Sequence, residues 1–148
     1  MSPTDATTQI AELMRRFLAS VSFGAGERPH YDAIPALFID RGLLIKNIAG
    51  AAEISTPAEF IAPRRALVES GELTEFLEEE LSATTTVFGA VAHRLSEYAK
   101  SGVQGGTAFS VRGVILTQLV ATPEGWRISS MTWDDERPGL DLSDLRTT

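Results

Sequence analysis

The chain has 148 residues, of which 43% are hydrophobic and 22% charged, the size and composition of one globular domain that can build a core without disulfides or metals. It has no cysteine, which removes disulfides, thiolate metal sites and thiol nucleophiles together, and with only two histidines, His30 and His93, neither a metal nor a cofactor is expected. Its 13 basic and 20 acidic residues leave a net charge of −7, which disfavours nucleic-acid phosphates and anionic lipid surfaces as partners.

Thr4 to Val21 reads as a helix, because Ile10, Leu13, Met14, Phe17, Leu18 and Val21 recur at three- and four-residue steps. The glycines at 24 and 26 end it. A second helix is expected from about Pro29 to Arg41-Gly42, with Ile34, Leu37 and Phe38 as its apolar stripe and a later start if Pro35 breaks its first turns. Leu43 to Ala49 reads as a strand. Thr56-Pro57-Ala58-Glu59 has the pattern of a capped helix start with proline at the first position, and that helix should run to about Ser70 with Gly71 as its stop. Phe60, Ile61, Leu67 and Val68 are its buried candidates.

After Gly71 the period changes from helical to alternating. Phe76 to Val87, Phe88 to Tyr98, Ala108 to Ala121 and Trp126 to Trp133 read as strands, with Gly102, Gly105-Gly106 and Pro123-Glu124-Gly125 as turns. Short turns make successive strands antiparallel. Glu78-Glu79-Glu80 is the one stretch where helix competes with strand. Helices early and strands late argue an α+β domain over 1–148, with helices on one face of a curved, mainly antiparallel sheet and loose polar ends near 1–5 and 141–148. Met1 to Ile10 lacks a cationic start followed by an apolar core, and no apolar run nears the ~20 residues that span a bilayer, so a cytoplasmic protein is expected.

Gly125-Trp126-Arg127-Ile128, continuing to Asp134, resembles the last strand of NTF2-like (SnoaL-like) domains. Phe88 to Arg94 with Tyr98 is similar to their central strand, and Arg112-Gly113 through Val120 to the strand between. Trp133 to Arg137 is also similar to the Trp-Asp-Asp-Glu-Arg ending of a bacterial subgroup, a likeness that implies no activity. The resemblance implies a cone: a bent sheet around helices, with a pocket between. Members of this superfamily include isomerases, dehydratases, cyclases, epoxide hydrolases and binding modules, so the fold alone leaves function open. Many are homodimers joined through the sheet. The strands fit that, with Ile115 and Leu119 on one face and Val114, Leu116 and Val120 on the other.

His93 is the first catalytic candidate, because histidine titrates near neutrality and this strand often supplies a pocket residue in enzymes of the fold; the alternative is a packed or interface histidine. The resemblance points next to Tyr31 and Asp32, placed where dehydratase and isomerase members set a tyrosine to polarise a carbonyl and an aspartate to take a proton; Asp32 equally suits a first helical turn. Arg112, Trp133 and Asp134 are candidates for the ligand pocket, while Asp134-Asp135-Glu136 together read as a solvated acidic end and not a metal site. Arg64-Arg65 reads as a solvated helix face, paired with Glu69. Three functions are compatible with these residues. The first is binding of a small apolar molecule. The second is a cofactor-independent isomerase, dehydratase or cyclase using His93. The third is a dimeric interaction module without catalysis.

Overall fold

Ile10, Leu13, Met14, Phe17, Leu18 and Val21 are all buried on one face of α1 (Pro3–Val21). This stripe packs against the sheet that the rest of the chain builds, principally against its third and sixth strands. The structure is a computed structural model and describes residues 3–48 and 50–147. The expected strand end at Ala49, and the outermost residues of the expected loose ends, Met1, Ser2 and Thr148, lie outside the described residues.

The segment expected as a second helix is instead two short 3-10 turns, Tyr31–Ala33 and Pro35–Leu37, followed directly by a strand. Pro35 has no N–H to donate back to Tyr31, so an α-helical ladder cannot pass through it. The turns close three residues apart instead, with Ile34 N–H donating to the Tyr31 carbonyl at 3.0 Å and Leu37 N–H to that of Ile34 at 2.9 Å. Ile34 and Leu37 are still buried, so their apolar spacing marks core positions without an α-helical period. Phe38 opens β1 (Phe38–Lys46), where it pairs with Ile128. Arg41-Gly42, expected to stop a helix, lies where the register of β1 shifts between Phe38 and Leu43, and Arg41 takes a positive φ of 65° there.

A three-residue strand that the sequence reading did not anticipate, β2 (Glu53–Ser55), pairs with β1 at the sheet edge. α2 (Pro57–Glu69) begins with the expected reciprocal cap: Glu59 N–H donates to Thr56 Oγ1 at 3.2 Å and Thr56 N–H to Glu59 Oε1 at 2.9 Å. Phe60 and Ile61 are buried, Leu67 and Val68 half-buried, and Gly71 follows with φ 79°.

Four long strands complete the sheet: β3 (Leu73–Phe88), β4 (Val91–Gln104), β5 (Thr107–Thr122) and β6 (Gly125–Asp135). The order is β2-β1-β6-β5-β4-β3, with β1 parallel to β6 and every other pair antiparallel. The competing helix at Phe76 to Leu81 does not form. The first hairpin turns at Gly89-Ala90, two residues beyond the expected boundary, with Phe88 opposite Val91. Gly102 is not a turn but lies inside β4, where a Cβ would stand 2.2 Å from the Glu75 carbonyl oxygen. At the C-terminal side Asp141 caps a 3-10 turn over Leu142–Asp144, and Arg137 is bridged to Leu140, so part of the expected loose end carries local structure. Among the described residues no helix is long and apolar enough to cross a membrane.

The sheet has two unlike faces. Ala92, Tyr98, Ile115, Leu119, Ile128 and Met131 are buried toward the helices. Arg94 also points inward and is held by Glu80 through two bonds of 3.0 and 2.7 Å and by Thr85 at 2.7 Å. Tyr98 is fully buried, and its ring occupies the space over Gly113, its cross-strand neighbour. A Cβ at residue 113 would lie 2.3 Å from the Tyr98 hydroxyl oxygen and 2.4 Å from the Asp134 carbonyl oxygen. Because one of those atoms is backbone, repacking side chains does not make room. Gly113→Ala is therefore expected to lower stability by about 1–3 kcal/mol or more, read as a fall in the urea midpoint; an unchanged midpoint would contradict this packing.

Candidate functional site

The curled sheet leaves a cavity of about 470 Å³ between its inner face and the two helices. Phe17, Phe60, Phe76, Ile115 and Trp133 wall it. Phe17 lies 6.2 Å from Phe60 and Phe60 6.0 Å from Trp133, ring to ring, in tilted and edge-on arrangements that give a continuous aromatic wall.

Polar groups enter this wall from defined positions. Glu78 and Lys100 are directly opposed across β3 and β4. Tyr98 lies two residues before Lys100, on the same face of β4. Gly113 of β5 is opposite both Tyr98 and Asp135 of β6 and, having no side chain, lets those two meet across it. The Tyr98 hydroxyl donates to Asp135 Oδ1 and lies 3.2 Å from the Asp134 carbonyl oxygen. Lys100 Nζ is 3.0 Å from Asp135 Oδ2, with both side chains well buried at 16% and 12% exposure. One carboxylate thus binds a phenol with one oxygen and an ammonium with the other.

Glu78 is left outside that arrangement. Burial pushes its carboxyl up to about 7 from an ordinary value of 4.5; Lys100 and Arg64 oppose the rise and Asp135 adds to it. Because Lys100 is already bonded to Asp135, it only partly offsets the desolvation of Glu78. The backbone of Glu78 is fixed by Ser22, whose hydroxyl accepts its N–H at 3.0 Å. Burial together with Asp135 also raises the Tyr98 phenol, and burial raises that of Tyr31 against the fields of Arg64 and Arg65. Arg64 enters from α2 with its guanidinium 3.6 Å over the Phe60 ring and an N–H on the Phe60 carbonyl at 2.9 Å. Among the described residues no group of three or more His, Asp or Glu side chains is arranged to hold a metal ion.

No protein-family model and no curated protein matches this sequence. Solved structures do. The Kfla4162 protein from Kribbella flavida superposes with a TM-score of 0.78 at 16% identity, over 92% of this chain and 94% of that one. A Nuclear transport factor 2 (NTF2-like) superfamily protein from Salmonella enterica gives a TM-score of 0.72 at 14% identity, covering 98% of this chain and 100% of that one. A dehydratase candidate of the NTF2-like family from Streptomyces avermitilis gives 0.70 at 14% identity, over 92% and 99% of the two chains. The fold is NTF2-like.

In this NTF2-like cone the residues selected from sequence are divided between two faces. Tyr31 and Trp133 line the cavity. Asp32, beside Tyr31, points to solvent and bonds Arg65. His93 is exposed on the outer face of the sheet, opposite Thr86 and Gln118. It has the opposite parity to Ala92, Arg94, Ser96 and Tyr98, all buried on the inner side, so its side chain cannot reach the cavity. Arg112 and Asp134, expected in the pocket, take other places for the same reason. Arg112 pairs with Glu136 at 2.9 Å and Asp134 with Arg137 at 2.6 Å, and neither lines the cavity. The two neighbouring arginines also part: Arg65 faces Asp32 and solvent, not Glu69, while Arg64 turns inward over Phe60.

Sequence reasoning missed Glu78, Lys100, Asp135 and Arg64. The signal was parity. Tyr98 and Lys100 are two apart in a strand, as are Trp133 and Asp135, so each charged residue shares the face of an aromatic one.

The raised carboxyl has a consequence for stability. Below about 4.5 Glu78 is protonated whether the chain is folded or not; from there to about 7 the unfolded chain has released the proton and the folded one still holds it, so rising pH favours unfolding. Glu78→Gln removes this dependence. The variant is expected to gain stability relative to the parent as pH rises from 4.5 to 8, by up to about 3 kcal/mol, measured by urea unfolding at each pH. A stability difference that stays constant across that range would show that Glu78 is not held protonated.

Proposed function

We propose that this protein is a cofactor-independent enzyme that moves a proton on a small, largely apolar molecule held in the cone, with Glu78 as the acid–base group. The observation that carries the reading is the Glu78 carboxyl, held near neutrality in the wall of an aromatic cavity. A general base works best when its pKa lies near the working pH, because it is then both available and strong enough. A protein that only bound apolar molecules would gain nothing from desolvating a carboxyl there, and perturbed carboxyls cluster at catalytic sites.

The neighbouring groups fit the rest of such a reaction. Proton abstraction from carbon leaves negative charge on an adjacent oxygen, which needs a fixed donor or cation. Lys100, held by Asp135 and directly opposite Glu78, supplies an ammonium donor, and the buried Tyr31 phenol in the same cavity lining supplies a neutral one. Return of the proton at a second carbon is an isomerisation; loss of a leaving group from the carbanion is a dehydration or other elimination. The cavity volume suits a ligand of small-molecule size. In this reading His93, Asp32, Arg112 and Asp134 take no part in catalysis, while Tyr31 and Trp133 remain in the site.

The reading is tested by incubating the protein with a panel of aryl ketones and β-hydroxy acids in deuterium oxide and following deuterium uptake and product formation by mass spectrometry. Uptake is expected to rise with pH to a plateau with an apparent pKa near 7 and to fall by roughly 10²–10⁴-fold in Glu78→Gln. Equal rates in parent and variant would refute the role of Glu78, and ligand-induced stabilisation without any exchange would favour binding alone.

We further propose that two copies associate through the outer face of the sheet. Val91 and Leu116 are 53% and 46% exposed there, and Phe88, beside Val91, is 85% exposed. Large apolar side chains clustered on one face are more readily explained by a covering partner than by water. Light scattering is expected to give twice 16.0 kDa for the parent and 16.0 kDa for Leu116→Glu. A parent mass of 16.0 kDa at micromolar concentration would refute the association.

A further inference from the structure

We propose that the molecule bound in the cone is a small carboxylic acid with an apolar body, its carboxylate received by Arg64 with Lys46 alongside. The inference rests on the cavity being a substrate site, as argued above, and names the substrate class.

Three cations line the cavity: Lys46, Arg64 and Lys100. Lys100 already has a carboxylate partner in Asp135. Arg64 and Lys46 form no ion pair within 4 Å among the described residues. Arg64 is held in place from below, stacked 3.6 Å over the Phe60 ring and bonded to the Phe60 carbonyl. Of its five N–H donors only one is used in that anchoring, so the fork that suits a carboxylate is left without one. Burial lowers the Arg64 pKa, while Tyr31, Glu53 and Glu78 oppose the fall, yet a guanidinium stays charged at any physiological pH. A desolvated cation with no anion beside it is unfavourable, and an incoming carboxylate would relieve it.

The acids nearby do not already fill this role. Glu53 is directly across from Lys46 in the β1–β2 pair but is exposed and bonds neither cation. Glu78 forms no ion pair within 4 Å with either cation among the described residues. Asp135 is committed to Tyr98 and Lys100. Lys46 lies beside Trp133 in the β1–β6 pair, which brings the second cation to the aromatic wall. A molecule with its carboxylate on Arg64 would lay its apolar part along Phe60, Phe76 and Trp133, within the same cavity as Glu78 and Lys100.

The experiment compares probes of equal shape and different charge. 3-Phenylpropanoate, 3-phenylpropanamide and 3-phenylpropylamine are titrated into the full chain by isothermal calorimetry. The acid is expected to bind at least about tenfold tighter than the amide, with the amine weakest. Arg64→Gln is expected to remove that preference by weakening the acid and not the amide, and Lys46→Gln to reduce it in part; circular dichroism checks that each variant is folded. Equal binding of acid and amide, an acid preference that survives Arg64→Gln, or no acid binding at millimolar concentration would each overturn the proposal. If Arg64→Gln does not fold, the Lys46→Gln result and the salt dependence of the acid's affinity decide it, and a preference insensitive to both would overturn it. The two proposals fail separately: Glu78-dependent exchange on neutral ketones without acid preference removes only this one, and Arg64-dependent acid binding without Glu78-dependent exchange on any substrate removes only the catalytic reading.

Discussion

Tyr98 is fully buried in the middle of the sheet, and a buried phenol requires an acceptor. Asp135 supplies it, two strands away, because Gly113 leaves the intervening position open. Much of the cavity follows from this one bond. Asp135 is brought to the inner face and draws Lys100 to its second oxygen. Lys100 is thereby turned away from a full ion pair with Glu78, its partner across the strands, and Glu78 remains in the wall with its burial only partly offset. A phenol's need for an acceptor thus ends as a carboxyl held near neutrality.

Two residues further along the same strand the opposite balance holds. Glu80 also points inward, but it receives both arms of Arg94 and the Ser96 hydroxyl at 2.7 Å. That network satisfies its charges locally and ties β3 to β4 beside the first helix. The contrast between Glu78 and Glu80 separates a structural carboxylate from a chemical one on adjacent inward positions of one strand. The difference lies in which cation reaches each: Arg94 is free to fork onto Glu80, while Lys100, opposite Glu78, is already engaged by Asp135. Departure from local satisfaction at a cavity wall is where function is expected.

Legibility followed the range of the interaction. α1 could be read because its six apolar positions repeat within the helix, and the start of α2 because Thr56 and Glu59 bond each other directly. The four-stranded meander was visible in its alternation and turns. The segment from Pro29 to Gly42 was misread because the apolar spacing of Ile34, Leu37 and Phe38 fits a helix, while the missing N–H of Pro35 and the pairing of Phe38 with Ile128 forbid one. β2 was invisible because a three-residue edge strand is defined only by its neighbour, β1.

By itself, then, the amino-acid sequence determined the first helix, the capped start of the second, the four-stranded meander and the α+β class. It did so because helix periods, caps and strand alternation act between residues close in the chain. Which face became the cavity was decided only in the folded sheet, since one residue of register sends every side chain of a strand to the other side. That single choice put His93 outside and Lys100 inside. The grouping of Glu78, Lys100 and Asp135 was likewise a tertiary outcome, because the three come from three strands and meet only where Tyr98 and Gly113 let the sheet close around them.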